Sequence, residues 1–349
     1  MEGRLNYDEE LIEELRRVYG TQLNEFLQSL LRPNPRLYLR LTDPKLRDGF
    51  LEKYDFFKGD EDFEEAIYAE VKGPNKVEEH EGKVIVDKRT AESVMLGANV
   101  YAPGVLKVLA KTGETVSVVS ENGVLVAEGK LVNEGTLIVR VENSLYSAPR
   151  ISELEEVIEG KAYSQGKASM YVARLLDPRP GELIVDMTAA PGGKLTHVAQ
   201  LEPKARVIGF DRTTEKVERV RALVRKIGLK NVEVYKADSR YLYEDLGLRE
   251  VDKVIIDPPC SNLGVRPKVY DKKTIKDVLD LAQYQRQFLN AAYKILKRGG
   301  VLIYSTCTVT LKENEELIND ERFEVEYQLR FHPHISGLTG FFIAKLVKK

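Results

Sequence analysis

From Glu182 to the end of the chain, short apolar runs rich in Val and Ile alternate with longer helical patterns. This alternation predicts a parallel sheet with helices on both faces, because parallel strands need crossover connections and are covered on each side. The expected strands are Leu183 to Met187, Arg206 to Asp211, Val232 to Ala237, Val254 to Ile256 and Val301 to Tyr304, with helices at Thr214 to Ile227 and Thr274 to Leu296 among the connections. Two last runs, Phe323 to Tyr327 and Phe341 to Val347, add a terminal antiparallel pair. The fold class is α/β, doubly wound and mostly parallel. Ligands of such sheets bind just beyond the carboxyl ends of the strands.

The first part of the chain has a different texture. Residues 8 to 31 carry two helical patterns separated at Gly20. After Pro33-Asn34-Pro35, the run Arg36 to Leu41 alternates, with Leu37, Leu39 and Leu41 on one face and Arg36, Tyr38 and Arg40 on the other, which reads either as a face that holds phosphates and stacks a base or as a solvated strand face. The polar, glutamate-rich stretch Lys76 to Lys83 marks a boundary. Short β runs follow to about Arg150, and Glu121-Asn122-Gly123 between two of them is a strong hairpin signal. Three regions are expected: a helical and α+β N-terminal region over 1–80, a small β-barrel-like module over 81–152, and the α/β domain over 153–349.

Bulk properties exclude several classes. The start Met1-Glu2-Gly3-Arg4-Leu5-Asn6 opens no signal peptide, and no apolar run approaches the roughly 18 residues of a membrane span. A cytoplasmic monomer is expected, with no membrane partner. Two cysteines cannot make a disulfide framework, and with four scattered histidines they make a poor metal site, so no metal is expected and His332-Pro333-His334 reads as a loop. A formal net charge of −2 leaves no global basic field for nucleic acid. Local patches must serve instead, the best being Arg266 and Lys268, whereas the cluster Arg219, Arg221, Arg225 and Lys226 reads as a solvated helix face.

The chemistry gathers at strand ends. After the first strand comes Asp186-Met187-Thr188-Ala189-Ala190-Pro191-Gly192-Gly193-Lys194, whose small residues and glycines let a ligand approach the backbone ahead of a helix N-terminus. It lacks the spacing and the final hydroxyl of a P-loop, which argues against an ATPase. Asp211 ends the second strand 19 positions after Gly192 (211 − 192), where a carboxylate grips ribose hydroxyls, and Asp238 ends the third, near an adenine. Acidic ends on successive strands suit S-adenosylmethionine better than NAD, since the ligand has a sulfonium and an ammonium group and no pyrophosphate. Asp257-Pro258-Pro259-Cys260 ends the fourth strand, and Ser305-Thr306-Cys307-Thr308 ends the fifth. The only two thiols of the chain therefore stand at two strand ends.

These motifs together resemble the Nop/Sun family of RNA cytosine-C5 methyltransferases, with Glu313-Asn314-Glu315 and the closing Gly340 to Leu346 run adding to the likeness. The segment Gly97 to Val105, the Gly113-Glu114-Thr115-Val116 strand entry and Val126-Ala127-Glu128-Gly129 resemble a PUA domain. The resemblance implies a Rossmann-like methyltransferase sheet with S-adenosylmethionine as cofactor. It also implies a tRNA substrate methylated at the acceptor-stem cytosine beside the discriminator base. It maps the attacking thiol to Cys307 and the thiol that assists release to Cys260, with Asp257 on the ring edge and Lys194 reaching the base. The cofactor would lie against Asp186, Thr188, Ala189, Ala190, Pro191, Gly192, Gly193, Lys194, Asp211, Asp238 and Asp257. On residue chemistry alone either cysteine could attack. A methyltransferase acting on rRNA, one acting on DNA, and a non-catalytic RNA-binding assembly factor are the alternatives. The chain departs from the common family pattern at Thr188, Pro258 and Asn262.

Overall fold

The computed structural model describes residues 4–349, so Met1 to Gly3 lie outside the described residues. The C-terminal half is built on one seven-stranded sheet. Its strands are β1 (Leu183–Asp186), β2 (Arg206–Asp211), β3 (Val232–Lys236), β4 (Val251–Ile256), β5 (Leu296–Thr306), β6 (Phe323–Phe331) and β7 (Phe341–Lys348). In space they run β3-β2-β1-β4-β5-β7-β6. The first five are parallel, and β7 lies antiparallel between β5 and β6, as the sequence pattern requires.

Period-two alternation decides which core each strand side chain enters. Ile184, Val207, Ile255 and Ile303 face the helices Lys167–Leu176, Gly193–Leu201 and Thr214–Ile227. Their neighbours Val185, Ile208, Val254 and Leu302 face Phe288, Leu289, Ala292 and Ile295 of the long helix Ile275–Ile295. Each such aliphatic side chain taken fully out of water contributes roughly 1.5–3 kcal/mol. Thr274 and Asp277 close a reciprocal capping box that fixes where the long helix starts. One expectation needs amending. The Arg298-Gly299-Gly300 turn lies inside β5, which begins at Leu296; Gly299 takes a φ of +72° and the pairing with β4 slips there.

The chain order reverses on either side of β1, and register brings the strand ends level: Asp186 pairs with Gly209 and Ile255, and Ile256 pairs with Tyr304. Asp186, Asp211, Asp257 and the Ser305–Cys307 segment therefore converge on one edge, at a topological switch point.

The helices Glu9–Tyr19 and Leu23–Leu30, broken at Gly20, pack Leu11, Leu15, Phe26 and Leu30 against Leu263, Val278 and Val309 of the C-terminal half. The strand Arg36–Leu41 lies between Ala162–Ser164 and Ala66–Glu70 in a four-stranded sheet. The alternation of this strand was read correctly, but its second face is not free for RNA. Tyr38 is 5% exposed and Arg40 0%, because the loop-helix segment 165–196 covers them. Arg40 donates to Gln165 Oε1, Gly193 O and Thr196 Oγ1, and only Arg36 of the trio is exposed, stacked over the Tyr68 ring.

Between these parts lies a six-stranded sheet whose strands fall within residues 83–144, closed around Val84, Val86, Val116, Val118, Val126 and Val139. The hairpin expected at Glu121-Asn122-Gly123 joins Thr115–Ser120 to Leu125–Glu134, with Gly123 at φ +87°. Val269 of the C-terminal half enters this core, and Lys88 Nζ pairs with Asp271 Oδ1 at 2.8 Å. Among the described residues no helix is long and apolar enough to cross a membrane, and no cluster of three or more His, Cys, Asp or Glu side chains is arranged to hold a metal ion. The stretch expected as a loop forms a short helix, Pro333–Ser336, with His332 at its N-cap and His334 within it, and both rings stand edge-on to Tyr19.

Candidate active site

The loop after β1 is held shut by its own polar groups. Asp186 accepts the Thr188 N–H at 3.0 Å, Thr188 Oγ1 accepts the Asp257 N–H at 2.7 Å, and Asp211 accepts the Ala190 N–H at 3.2 Å. The Thr188 hydroxyl thus ties the β1 loop to the β4 loop, which explains how threonine serves at that position. Gly192 has a φ of +113°, and a Cβ there would lie 2.8 Å from Leu223 Cδ2, so only glycine fits. The helix Gly193–Leu201 starts here, turning its unpaired N–H groups toward the loop.

Burial pushes the Asp186 carboxyl up to about 7, with the charges of Asp257 and Asp211 adding to the effect against the Thr188 hydrogen bond and the Lys194 charge. A cleft of about 370 Å³ opens beside this loop. Thr188, Ala190, Asp211 and Asp238 line one end, and Asp257, Cys260 and Cys307 line the other. A smaller cavity of about 190 Å³ behind the loop is lined by Asp186, Ala189, Pro191, Gly192, Gly193 and Lys194. Asp238 does not present a bare carboxylate. Arg240 holds both of its oxygens, Nε at 2.9 Å and Nη2 at 2.5 Å, and is itself packed between the Tyr241 and Tyr284 rings.

At the far end of the cleft the two thiols meet. Cys260 Sγ and Cys307 Sγ are 3.2 Å apart and unbonded, and Asn262 Oδ1 sits 3.3 Å from the first and 2.9 Å from the second. The Cys307 hydrogen bond, then burial, then the charges of Cys307 and Glu313 push the Cys260 thiol well above the ordinary range. Lys194 Nζ lies 2.5 Å from Asp257 Oδ2, while Ser305 Oγ donates to Asp257 Oδ1 at 2.9 Å. Burial alone would pull the Lys194 ammonium down, but Asp257 and, behind it, Asp186 and Cys307 hold it above the usual lysine value. The arrangement offers a nucleophile with a proton-bearing thiol at its side, and an oriented carboxylate next to a permanent cation.

Sequence reasoning missed three members of this constellation. Ser305 was visible only as a polar residue closing an apolar strand, and it is fully buried against Asp257. Asn262 has a φ of +57°, the left-handed region where glycine or asparagine is tolerated best. Its reach to both sulfurs had no sequence signal. Arg240 lay two residues beyond the acid it clamps. The expectation for Lys268 is overturned, since it is 5% exposed and binds Asp271 and Asn262 O, which leaves no free charge for a phosphate. Arg266 turns to Asn34 Oδ1 at 2.6 Å and pairs with no carboxylate. On the helix Thr214–Ile227, Arg219 and Arg221 pair with Glu215 and Glu218 on an exposed face.

Comparison with known proteins follows the same division of the chain. Residues 82–147 match the PUA domain, and residues 173–324 match the family described as 16S rRNA methyltransferase RsmB/F. The tRNA (cytosine(72)-C(5))-methyltransferase of Pyrococcus horikoshii is 37% identical across 99% of this chain and 98% of its own length. The tRNA (cytosine(72)-C(5))-methyltransferase NSUN6 of Mus musculus is 33% identical across 70% of this chain and 60% of its own length. The crystal structure of NSun6 from Pyrococcus horikoshii with SFG, an S-adenosylmethionine analogue, superposes with a TM-score of 0.90 at 36% identity, covering 98% of each chain. An identity of this size runs through the N-terminal region, the PUA-like module and the catalytic sheet alike, and by it the chain belongs to the Nop/Sun family of RNA cytosine-C5 methyltransferases, in the branch that carries a PUA domain.

Proposed function

We propose that this chain transfers a methyl group from S-adenosylmethionine to C5 of the tRNA cytosine numbered 72 in its relatives' names, beside the discriminator base, acting as a cytoplasmic monomer. The observation that carries the reading is the pair of free thiols 3.2 Å apart at the carboxyl ends of β4 and β5, facing the Lys194–Asp257 pair. An RNA-binding assembly factor would have no use for that pair. The rRNA reading has the match at 173–324 in its favour, but the full-length tRNA-modifying relatives and the PUA match favour tRNA. On this reading residues 81–152 bind RNA with help from 1–80, and 153–349 carry the chemistry.

The residues fit the cofactor. Asp211, whose hydrogen-bond partners are two backbone N–H groups, is suited to ribose hydroxyls, and the loop Thr188 to Gly193 gives close backbone approach. Asp186, a buried carboxyl with one N–H partner, favours a cationic group nearby, and Asp238 closes the same cleft. When bound, S-adenosylmethionine supplies an electrophilic methyl group. The protein must make C5 nucleophilic. Cys307, as thiolate, adds to C6, and the ring becomes an enamine that can take the methyl at C5. Asp257, fixed by Ser305 and Lys194, accepts from the exocyclic amine, and the Lys194 ammonium balances the charge delivered to the ring.

Release then requires loss of the C5 proton and cleavage of the C6–S bond. Cys260 gives its S–H proton to the departing Cys307 sulfur and takes the C5 proton in return, so it ends protonated as it began. The target base must leave its stack, at a cost of a few kcal/mol.

The test is methyl transfer from labelled S-adenosylmethionine to transcribed tRNA, compared with the same tRNA carrying uracil at the target position and with Cys307→Ala protein. Label on the first substrate alone, and only with intact Cys307, supports the reading. Label on rRNA fragments but not on tRNA overturns the substrate, and full activity in Cys307→Ala overturns the nucleophile.

A further inference from the structure

Behind the two thiols lies a buried polar cluster that none of the proposed steps uses. Ser261, Gln285, Thr306, Thr308, Thr310, Glu313 and Asn314 all have 0% exposure. A carboxylate in such a place is costly unless its oxygens are fully occupied. Glu313 accepts from four donors: Ser261 N–H at 2.8 Å, Gln285 Nε2 at 3.0 Å, Ser261 Oγ at 2.5 Å and Thr310 Oγ1 at 3.0 Å. All four partners are neutral, so geometry rather than a salt bridge supports the charge.

Gln285, from the long helix, also donates to Pro259 O at 2.9 Å. The residues on either side of Cys260 are thereby held, Pro259 through Gln285 and Ser261 directly. The next residue does the same for the other thiol. Asn314 Oδ1 accepts from Thr306 Oγ1 at 2.6 Å, and Asn314 Nδ2 donates to Thr308 O at 3.2 Å, which grips both neighbours of Cys307. Ser261 Oγ and Thr308 Oγ1, 2.6 Å apart, join the two halves of the clamp.

Resting on the proposed reaction, we infer that Glu313 and Asn314 are positioning residues that set the distance between the two thiols, one residue gripping each cysteine's flanks. The Glu313 carboxylate does a second job. As the buried negative charge nearest Ser261, it disfavours ionisation of Cys260, so that this thiol keeps the proton it must hand to Cys307 at release.

Two readouts need no RNA. In the full chain, the rate at which diamide joins Cys260 to Cys307 reports their proximity, and the pH midpoint of Cys260 alkylation, measured in Cys307→Ser protein, reports the Glu313 charge. Glu313→Gln is expected to slow disulfide formation at least tenfold and to move the alkylation midpoint down by about one pH unit. Affinity for S-adenosylmethionine should stay within twofold. In turnover, kcat should fall with KM for tRNA unchanged, and Glu313→Asp should recover part of the loss. Should Glu313→Gln not fold, Ser261→Ala, which keeps the carboxylate and removes one of its donors, takes its place with an expected threefold slowing of cross-linking. Wild-type cross-linking rates and an unmoved midpoint in a folded variant would overturn the inference. If Glu313→Gln shifts both readouts while the wild-type protein methylates no tRNA, the proposed function is overturned and the clamp stands.

Discussion

Cys260 and Cys307 share a hydrogen bond, sulfur to sulfur, at 3.2 Å across the ends of two adjacent parallel strands. The contact makes the two thiols unequal. The Cys307 hydrogen bond, then burial and the charges of Cys307 and Glu313, hold the Cys260 thiol well above the ordinary range, so it keeps its proton. Removing Cys260 should therefore spare adduct formation and block its resolution. In Cys260→Ala, a protein–RNA band should accumulate on denaturing gels, with steady-state turnover reduced at least 100-fold. Trapping by Cys307→Ala instead would reverse the two roles.

Asp186 gives the protein a pH dependence of known sign. Burial raises its carboxyl from the usual value near 3.9 up to about 7, so between these limits the folded chain holds a proton that the unfolded chain has lost. The contribution of this residue to stability is greatest below pH 4 and falls as pH rises through 7, by on the order of 4 kcal/mol over the whole window. Asp186→Asn removes the effect. Urea unfolding should find the variant gaining on wild type steadily from about pH 4.5 to about pH 8, and a pH-independent difference would contradict the assignment.

Asn262 combines an unusual backbone with a polar reach. Its φ of +57° costs a residue with an ordinary Cβ about 1 kcal/mol, and glycine nothing. Asn262→Ala should be less stable than Asn262→Gly by about that amount. Both variants lose the oxygen next to the sulfurs, so the stability difference between them isolates the backbone. Equal unfolding midpoints would remove the strain from the account.

Arg40 tests the revised view of the N-terminal sheet. Its guanidinium is fully buried, its pKa pulled down to about 9 by burial, and it bonds Gln165, Gly193 and Thr196. Arg40→Ala should cost about 3 kcal/mol or more in unfolding free energy while leaving the salt dependence of tRNA binding unchanged. The exposed Arg36, in contrast, should tolerate alanine with a change below about 0.5 kcal/mol. A reduced salt slope in Arg40→Ala would restore the phosphate-contact reading.

What the sequence made legible follows from period. Alternation along β1, β2, β4 and β5 identified the strands, and the acids and thiols at their ends followed, because parallel register brings those ends level. Period says that a strand has two faces, not what covers them. Arg36 to Leu41 was therefore read correctly as a strand and wrongly as one whose second face is open to solvent or RNA, since its cover comes from residues 165–196, far along the chain. Lys268 failed for a related reason. Proximity to Cys260 in sequence was taken as proximity to substrate, whereas the segment turns inward to Asn34 and Asp271. Asn262 and Glu313 gain their roles only from the meeting of β4 and β5 loops, and no local pattern announces a partner 45 or 52 residues away.

Lys72 and Ser147 form an antiparallel bridge, each N–H donating to the other's carbonyl at 2.9 and 2.8 Å. The PUA match at 82–147 ends at that bridge and begins ten residues (82 − 72) after its other side. A segment whose two ends meet is a cassette: the host chain runs past it as past a hairpin. That module can thus be lost, gained or traded by a relative without re-threading the seven-stranded sheet, so the two parts are free to evolve on separate clocks.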